Sequence, residues 1–269
     1  MPCGRDSPTR RSGRSRRSSS QCRSDLLPGG RSRPPSVLQV IPQIEEITVN
    51  VGILGTGNLA TTLGRAWAAA GHTLVVTGRS SENASRAAGQ IGDAAEAVGP
   101  ADFAARVDVV VVAVAWEGLE EALSLVGGAD GSLSGMTVID CTNAVDYATG
   151  QLKPTSGSAA ELVARIARGA HVVKAFHLFA GASWPYTGPQ DSAPVVAICG
   201  DQPESLERAG ALTADLGGRT AVIGGLTSAR QLEEAAGFVM RVVGAGSNPR
   251  FAVPDVDPAS LNAGSATAN

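Results

Sequence analysis

A glycine-rich turn between a short apolar strand and a helix constrains this 269-residue chain more than any other feature. Residues 55–60 read Gly-Thr-Gly-Asn-Leu-Ala, which has the form GxGxxA, and the apolar run 51–54 precedes them. The apolar spacing predicts a helix over residues 58–70, ended by Gly71, and a second strand over residues 73–77. This order of strand, turn, helix and strand is typical of a dinucleotide-binding unit.

The small residues of the turn have separate tasks in such a unit. Gly55 permits the tight turn, Gly57 lets the backbone approach a pyrophosphate, and Ala60 allows close packing of helix on strand. The pyrophosphate charge would meet the N–H groups and the dipole at the start of the helix. The alternative is a plain strand-to-helix turn, because glycine-rich turns are common.

The end of the second strand favours NADP over NAD. NAD sites usually place Asp or Glu about 20 residues after the turn, where it binds the ribose 2′-hydroxyl. This chain has Thr77, Gly78, Arg79 and Ser80 there, and the first carboxylate after the second strand is that of Glu82. Arg79 can bind a 2′-phosphate with two hydrogen bonds, and Thr77 and Ser80 can add hydroxyl donors. The alternative for Arg79 is a solvated loop charge.

The alternation continues along the chain and predicts an α/β fold. We expect a doubly wound parallel sheet of the Rossmann type with a small C-terminal α/β extension. The predicted strands cover residues 47–54, 73–77, 107–115, 136–140, 171–176, 195–199 and 220–223, and the predicted helices cover residues 58–70, 83–97, 119–126, 158–168, 203–216 and 227–243.

Charge divides the chain into three predicted regions. Residues 1–46 hold nine Arg against four carboxylates, about +5, so the remainder lies near −8 for a net charge of −3. This arm is expected to be disordered; a transit peptide and a true start near Val49 are the alternatives. The NADP-binding domain is expected over residues 47–245 and a flexible tail over residues 246–269. An acidic body with 4% aromatic residues argues against nucleic acid as a partner.

The cysteines and the apolar runs argue against metal, disulfide and membrane roles. Cys3, Cys22, Cys141 and Cys199 form no CxxC pair and no Cys/His cluster, which is typical of free intracellular thiols. The longest apolar run, residues 107–116, is too short to span a membrane. We therefore expect a cytoplasmic protein without a metal ion or a membrane partner.

The chain resembles the NADPH-dependent coenzyme F420 reductases over about residues 49–243. The resemblance is carried by an ordered set of segments that is more specific than the turn alone. These segments are residues 51–59, 71–72, 78–79, 114–117, 172–177, 199–201 and 225–233.

The resemblance implies NADP and coenzyme F420 as cofactors and small-molecule partners, and it implies roles for individual residues. It implies a homodimer formed through the C-terminal region, where the apolar helix over residues 227–243 could also cap the core. By resemblance, the pyrophosphate is held by Thr56, Gly57, Asn58 and Leu59, and the 2′-phosphate is held by Gly78 and Arg79. The resemblance also implies that Val114, Ala115 and Trp116 flank the nicotinamide side, that the segment from His177 to Gly181 lies where the two cofactors meet, and that Asn143 lies along the same cleft.

His177 is the candidate catalytic residue, because it follows an apolar strand at the expected cleft. A neutral or cationic imidazole there could hydrogen-bond the second ring or stabilise its developing negative charge. A structural histidine is the alternative. His72 is expected at the surface or in a cap, and Trp116 and Trp184 could wall the cleft or serve packing. The function is therefore expected to be hydride transfer between NADPH and F420. The alternatives are an NADPH reductase of a flavin or other small acceptor, and a non-catalytic NADP(H)-binding protein.

Overall fold

A computed structural model describes residues 48–179 and 181–256 of the chain. Strands and helices alternate along this part, and short 3-10 turns join several of them. The strands are β1 (Asn50–Leu54), β2 (Thr73–Thr77), β3 (Ala95–Ala97), β4 (Val109–Val112), β5 (Thr137–Asp140), β6 (His171–Lys174), β7 (Val195–Gly200) and β8 (Arg219–Val222). The helices are α1 (Asn58–Ala69), α2 (Ser81–Ile91), α3 (Pro100–Phe103), α4 (Leu119–Leu125), α5 (Ala159–Ile166), α6 (Pro203–Ala214) and α7 (Ala229–Gly244).

The eight strands form one sheet in the order β3-β2-β1-β4-β5-β6-β7-β8. Strands β1 to β6 are parallel, and this order is that of a Rossmann fold, so the predicted α/β class is confirmed.

Part of the predicted parallel sheet runs in the opposite direction. Strand β7 runs antiparallel to β6, pairing Val173 with Gly200 and Lys174 with Cys199, and β8 is again parallel to β7. The described residues of the β6–β7 connection contain two 3-10 turns, Gly181–Ser183 and Gln190–Ser192, and no α-helix. A parallel crossover usually carries a helix, so a connection of this kind returns the chain in the opposite direction.

Several predicted elements differ from the structure in type or length, and the strand expected over residues 107–115 covers only Val109–Val112. The helix expected over residues 83–97 ends at Ile91, because Gly92 takes a φ of 122° and ends it. The following residues Ala95–Ala97 form the edge strand β3 beside β2. The strand expected over residues 171–176 stops at Lys174, since Phe176 has a φ of 59°.

The core lies on both faces of the sheet. Successive residues of β4 alternate between two buried clusters, as expected for a strand covered on both sides. Helices α1, α2 and α6 pack on one face, and α4, α5 and α7 pack on the other. This leaves the loops at the carboxyl ends of β1 to β6 free to form a site.

Two of the predicted regions extend outside the described residues. The arm over residues 1–46 and the part of the tail from residue 257 onward lie outside them, so the predicted boundaries stay predictions. Within the expected tail, residues Pro249–Phe251 form a 3-10 turn. In the described ranges, no helix has the length and apolarity needed to cross a membrane, and no three His, Cys, Asp or Glu side chains are grouped as metal ligands would be.

Candidate functional site

A cleft of about 290 Å³ opens at the carboxyl ends of β1, β2 and β4. Gly55 has a φ of 135°, and a Cβ there would lie 2.3 Å from the Ala113 carbonyl oxygen. At Gly57, by contrast, a Cβ would meet nothing within 4 Å. Seven of the fourteen predicted cofactor residues line this cleft, together with parts of the loop before α4 and of α4 itself. The full lining is Gly55, Thr56, Gly57, Gly78, Arg79, Ala113, Val114, Ala115, Glu117, Gly118 and Ala122.

The start of α1 is open to an anion. Its N-cap is Gly57, no side chain accepts from its first N–H groups, and its first turn carries no acidic residue. Helix α2 differs, because Ser80 caps it and Glu82 lies in its first turn. The uncapped N–H groups and helix dipole of α1 can therefore bind a phosphate oxygen. Asn58 is exposed in this first turn, whereas the side chain of Leu59 packs against the core.

Arg79 stands at the end of β2 with a side chain that is 61% exposed. Its Nη1 donates to Glu121 Oε2 across 2.8 Å, and its guanidinium passes close to Gly118. An exposed pair of this kind contributes little to stability, so an incoming phosphate can compete for the guanidinium.

The two hydroxyls predicted beside Arg79 are used differently. Thr77 is fully buried, and its Oγ1 donates to the Val98 carbonyl at 3.0 Å, so it does not reach the cleft. Ser80 accepts from the Asn83 N–H at 3.2 Å as the cap of α2, and its own O–H stays free to donate.

Two further predicted residues do not join this cleft. The Trp116 side chain borders a separate depression with Pro154, Ser158 and Arg165. Gly181 is buried against α1, where a Cβ would lie 2.9 Å from Thr62 Oγ1. The absence of a side chain at Gly181 therefore serves packing.

A second pocket of about 320 Å³ lies at the carboxyl ends of β5 and β6. It brings together Asn143 and His177, which the sequence predicts as neighbours, and adds one face of α7. The lining contains no charged side chain: it consists of Asn143, Val145, Tyr147, His177, Leu178, Phe179, Ala236, Val239 and Met240.

His177 is 4% exposed, and neither ring nitrogen meets hydrogen-bond geometry with a partner. Burial lowers its pKa to about 3; the Lys174 cation adds to this shift, and the nearby Leu232 backbone opposes it without reversing it. The imidazole is therefore neutral at pH 7, which leaves it one N–H donor and one acceptor nitrogen. Asn143 Nδ2 donates to the His177 carbonyl at 2.6 Å and joins the two residues.

A buried ion cluster lies behind this pocket, and sequence reasoning missed it. Lys174 Nζ is 2.8 Å from Asp140 Oδ2 and 2.9 Å from Glu233 Oε1, and all three side chains are fully buried. Glu233 also accepts from the N–H groups of Ala159 and Ala160 at the start of α5. Burial lowers the pKa of Lys174, but the two carboxylates outweigh it and raise that pKa above its ordinary value. The cluster thus joins β5, β6, α5 and α7 through a permanent cation.

His72 and Trp184 are packing residues. The expectation of a surface or capping histidine is wrong, because His72 is 6% exposed, its Nε2 lies 2.9 Å from Asp215 Oδ2 and its Nδ1 accepts from the Val49 N–H. Trp184 is buried and meets the rings of Phe176 and Phe179 edge-on. These contacts hold Phe176 in its left-handed conformation directly before His177.

The cysteines inside the described residues are free, as predicted. Cys141 and Cys199 are buried thiols. Burial raises the pKa of both groups, that of Cys199 to about 11, so neither forms a thiolate at neutral pH.

The α7 wall of the second pocket also escaped sequence reasoning. A signal was present, because Ala236, Val239 and Met240 follow the i, i+3, i+4 spacing of one helix face. The ion cluster had a signal as well, since Lys174 interrupts an apolar strand.

Comparison with known proteins finds a family model that matches part of the described chain. Residues 50–144 match the family model of NADP oxidoreductases, coenzyme F420-dependent. The chain is 29% identical over 194 residues to the metalloreductase STEAP3 of Rattus norvegicus, covering 72% of this chain and 37% of that protein. It thus spans little more than a third of the curated relative that it matches.

Solved structures share the fold at lower identity. An F420-dependent NADP reductase of Arthrobacter sp. FB24 superposes with a TM-score of 0.64 at 24% identity, over 74% of this chain and 96% of that one. A reductive aminase of Aspergillus terreus, solved with NADPH and ethyl levulinate, gives a TM-score of 0.55 at 21% identity, over 74% of this chain and 63% of that one. The resemblance inferred from the sequence is confirmed over residues 50–144, which match the family model of NADP oxidoreductases, coenzyme F420-dependent.

Proposed function

We propose that this protein transfers a hydride between NADPH and coenzyme F420, with NADPH in the cleft beside Arg79 and the acceptor in the pocket beside His177. The observation that carries the proposal is the pairing of these two pockets at one edge of the sheet. One has an uncapped helix start and an arginine, and the other has an uncharged lining and a neutral imidazole.

The first pocket fits NADP(H). The backbone N–H groups at Thr56, Gly57, Asn58 and Leu59 would bind the pyrophosphate, and Arg79, with Gly78 and the O–H of Ser80, would bind the 2′-phosphate. The buried hydroxyl of Thr77 contributes no donor. Val114 and Ala115 would flank the nicotinamide side, with Trp116 contributing through its backbone.

The chemistry asks little of the protein beyond alignment. NADPH supplies a hydride when bound, the acceptor ring takes up that hydride together with a proton from water, and NADP⁺ remains. His177 is neutral and so acts as a hydrogen-bond donor to the reduced ring rather than as its acid. The uncharged lining limits the access of water to the faces of the two rings, so that the hydride passes directly from one ring to the other.

We also propose that the protein forms a homodimer through α7 and the segment after it. Five large apolar side chains there are at least 47% exposed: Phe238, Val243, Phe251, Val253 and Val256. Exposed apolar groups in this number are typical of an interface.

The deciding experiment mixes the protein with NADPH and oxidised F420 and follows both absorbance bands, with NADH as the control. Loss of the deazaflavin band with NADPH, and a much slower loss with NADH, is the expected result. No change at the deazaflavin band would reject F420 as the acceptor.

A second candidate acceptor is a flavin or another small uncharged ring. The observation that favours it is the lack of any cation in the lining of the His177 pocket, since an acidic tail would gain no ion pair there. NADPH oxidation by riboflavin but not by F420 would establish this candidate. Saturable NADPH binding without oxidation by either acceptor would indicate a non-catalytic NADP(H)-binding protein.

A further inference from the structure

The guanidinium of Arg79 already has a partner in the free protein. Its Nη1 donates to Glu121 Oε2 at 2.8 Å, and a Cβ on Gly118 would lie 3.7 Å from its central carbon. Arg79 follows β2, whereas Gly118 and Glu121 belong to the turn before α4 and to α4 itself. Because Arg79 and Gly118 both line the cofactor cleft, the pair joins two of its walls.

This pair cancels the positive charge of the cleft. Of the described residues that line it, Arg79 is the sole cation and Glu117 the sole anion. Glu117 is itself paired with Lys153, and Arg79 is paired with Glu121. The charges around the cleft therefore balance, and a bound phosphate gains little from the overall field.

A 2′-phosphate has to meet Glu121 whichever edge of the guanidinium it takes. Such a phosphate monoester carries a charge of about −1.5 to −2 at neutral pH. At Nη1 it would displace the carboxylate and break the ion pair. At the opposite edge it would leave the carboxylate in place, and two like charges would share one small cation. NADH has a hydroxyl at this position and meets neither cost.

We propose that Glu121 is a specificity-determining residue, which weakens NADPH binding by competing with the 2′-phosphate for Arg79. The inference rests on the proposed function and deepens its cofactor site. Arg79 favours NADPH over NADH, and Glu121 reduces that preference. Both side chains are 61% exposed, so their pair contributes little to the fold and Glu121 can be replaced without unfolding the chain.

The test compares the full-length wild-type protein with Glu121→Gln, which keeps the shape of the side chain and removes its charge. Fluorescence titration measures the Kd for NADPH and for NADH. We expect the Kd for NADPH to fall about three- to tenfold, while the Kd for NADH changes by less than about twofold. Adenosine 2′,5′-bisphosphate and 5′-AMP, which differ only in the 2′-phosphate, should show the same contrast.

Glu120→Gln is the matched control. Glu120 lies in the same first turn of α4, is exposed, and has no ion-pair partner within the described ranges. Its replacement removes the same charge without freeing Arg79, so neither Kd should change by more than about twofold. In an Arg79→Gln background, the gain from Glu121→Gln should shrink, because the two residues act on each other.

Three outcomes would overturn the inference and leave the proposed function standing. Weaker or unchanged NADPH binding by Glu121→Gln would mean that Glu121 orients Arg79 or has no effect on it. An equal gain from Glu120→Gln, or an undiminished gain in the Arg79→Gln background, would mean a general effect of charge. Absence of NADPH binding by the wild-type protein is a different result, because it rejects the proposed function and this inference together.

Discussion

Gly55 and Gly57 lie two residues apart and lack a side chain for different reasons. Gly55 has a φ of 135° and touches the Ala113 carbonyl, so the fold needs it. Gly57 has an extended backbone with open space where a Cβ would stand, so the fold does not need it. That space lies in the cleft proposed for the pyrophosphate.

Gly57→Ala should therefore separate binding from folding. The added methyl should lower NADPH affinity by about tenfold or more, about 1.4 kcal/mol, while the free energy of unfolding changes by less than about 1 kcal/mol. Fluorescence titration and urea unfolding measure the two quantities. Gly55→Ala is the comparison and should destabilise the fold itself. Unchanged NADPH affinity in Gly57→Ala would argue against a pyrophosphate at this turn.

Arg79 is the residue on which cofactor choice should depend. Replacing it with Gln removes charge-assisted hydrogen bonds to a 2′-phosphate, so the Kd for NADPH should rise about 10- to 100-fold while the Kd for NADH stays the same. Arg86→Gln is the matched control, because Arg86 is similarly exposed and pairs with Glu82 on the outside of α2. An equal loss for NADPH and NADH would contradict a role at the 2′-phosphate.

His177 should make stability depend on pH in a defined direction. Its pKa is about 3 in the folded protein and about 6.5 when exposed, so below pH 6.5 the unfolded chain binds a proton that the folded chain does not. Its contribution is complete above pH 6.5 and is lost as the pH falls toward 3, by about 1.4 kcal/mol per pH unit. Urea unfolding at pH 7.0 and 5.5 should show a smaller decrease for His177→Phe than for the wild-type protein. Equal decreases would mean that His177 titrates normally.

At the level of elements, α7 is seated by a contact between two glycines. A Cβ on Gly237 would lie 2.1 Å from the Gly150 carbonyl oxygen, and Arg241 donates to the Thr149 carbonyl one turn later. Gly150 has a φ of 71° and belongs to the loop that carries Tyr147 into the second pocket. The backbone of α7 therefore sets the distance between two walls of that pocket.

Gly237→Ala should disturb the acceptor pocket and leave the cofactor cleft intact. The clash should cost about 1–3 kcal/mol of stability, because a methyl group must enter a closed contact. The KM for the acceptor should rise several-fold while NADPH affinity remains the same. Gly244→Ala, at the end of the same helix with open space around it, is the control and should change neither. A change in NADPH affinity alone would contradict this assignment of α7.

The elements also indicate where sequence reasoning succeeds. Strand β2 and the start of α1 are predicted to the residue, because a short β-branched and apolar run and a glycine turn are local signals. Strand β3 is not predicted from the sequence, because its alanine-rich segment favours a helix. In the structure Gly92 ends that helix, and the following residues pair with the edge of β2. The Lys174 cluster depends on Glu233, 59 positions later on α7, and no local pattern encodes that meeting.

At the scale of the whole molecule, the apolar surface after the second pocket should make oligomeric state sensitive to one substitution. Phe238→Glu places a charge in the proposed interface, so light scattering coupled to gel filtration should show a monomer where the wild-type protein shows a dimer. Leu125→Glu, which alters an exposed apolar side chain on α4, is the control and should remain dimeric. A monomeric wild-type protein would reject the dimer.

The two pockets of the molecule differ in how many of their lining residues a sequence can reveal. The cleft at Arg79 is built from residues 55–122, and seven of its eleven lining residues could be listed in advance from the glycine turn, the end of β2 and the family resemblance. The second pocket joins Asn143, His177 and α7 across nearly a hundred positions, and only Asn143 and the segment that begins at His177 could be anticipated. Trp116 shows the limit even within a stretch, because its backbone lies in the right loop while its side chain turns to another surface.

The two pockets take their residues from different parts of the chain, on either side of the reversed strand β7 in the case of α7. Every residue that lines the cofactor cleft precedes β5, whereas α7, which comes after the reversal, supplies a wall of the acceptor pocket. Under the proposed function, substitutions on α7 should therefore change which acceptor is reduced while the residues proposed to bind NADPH stay the same.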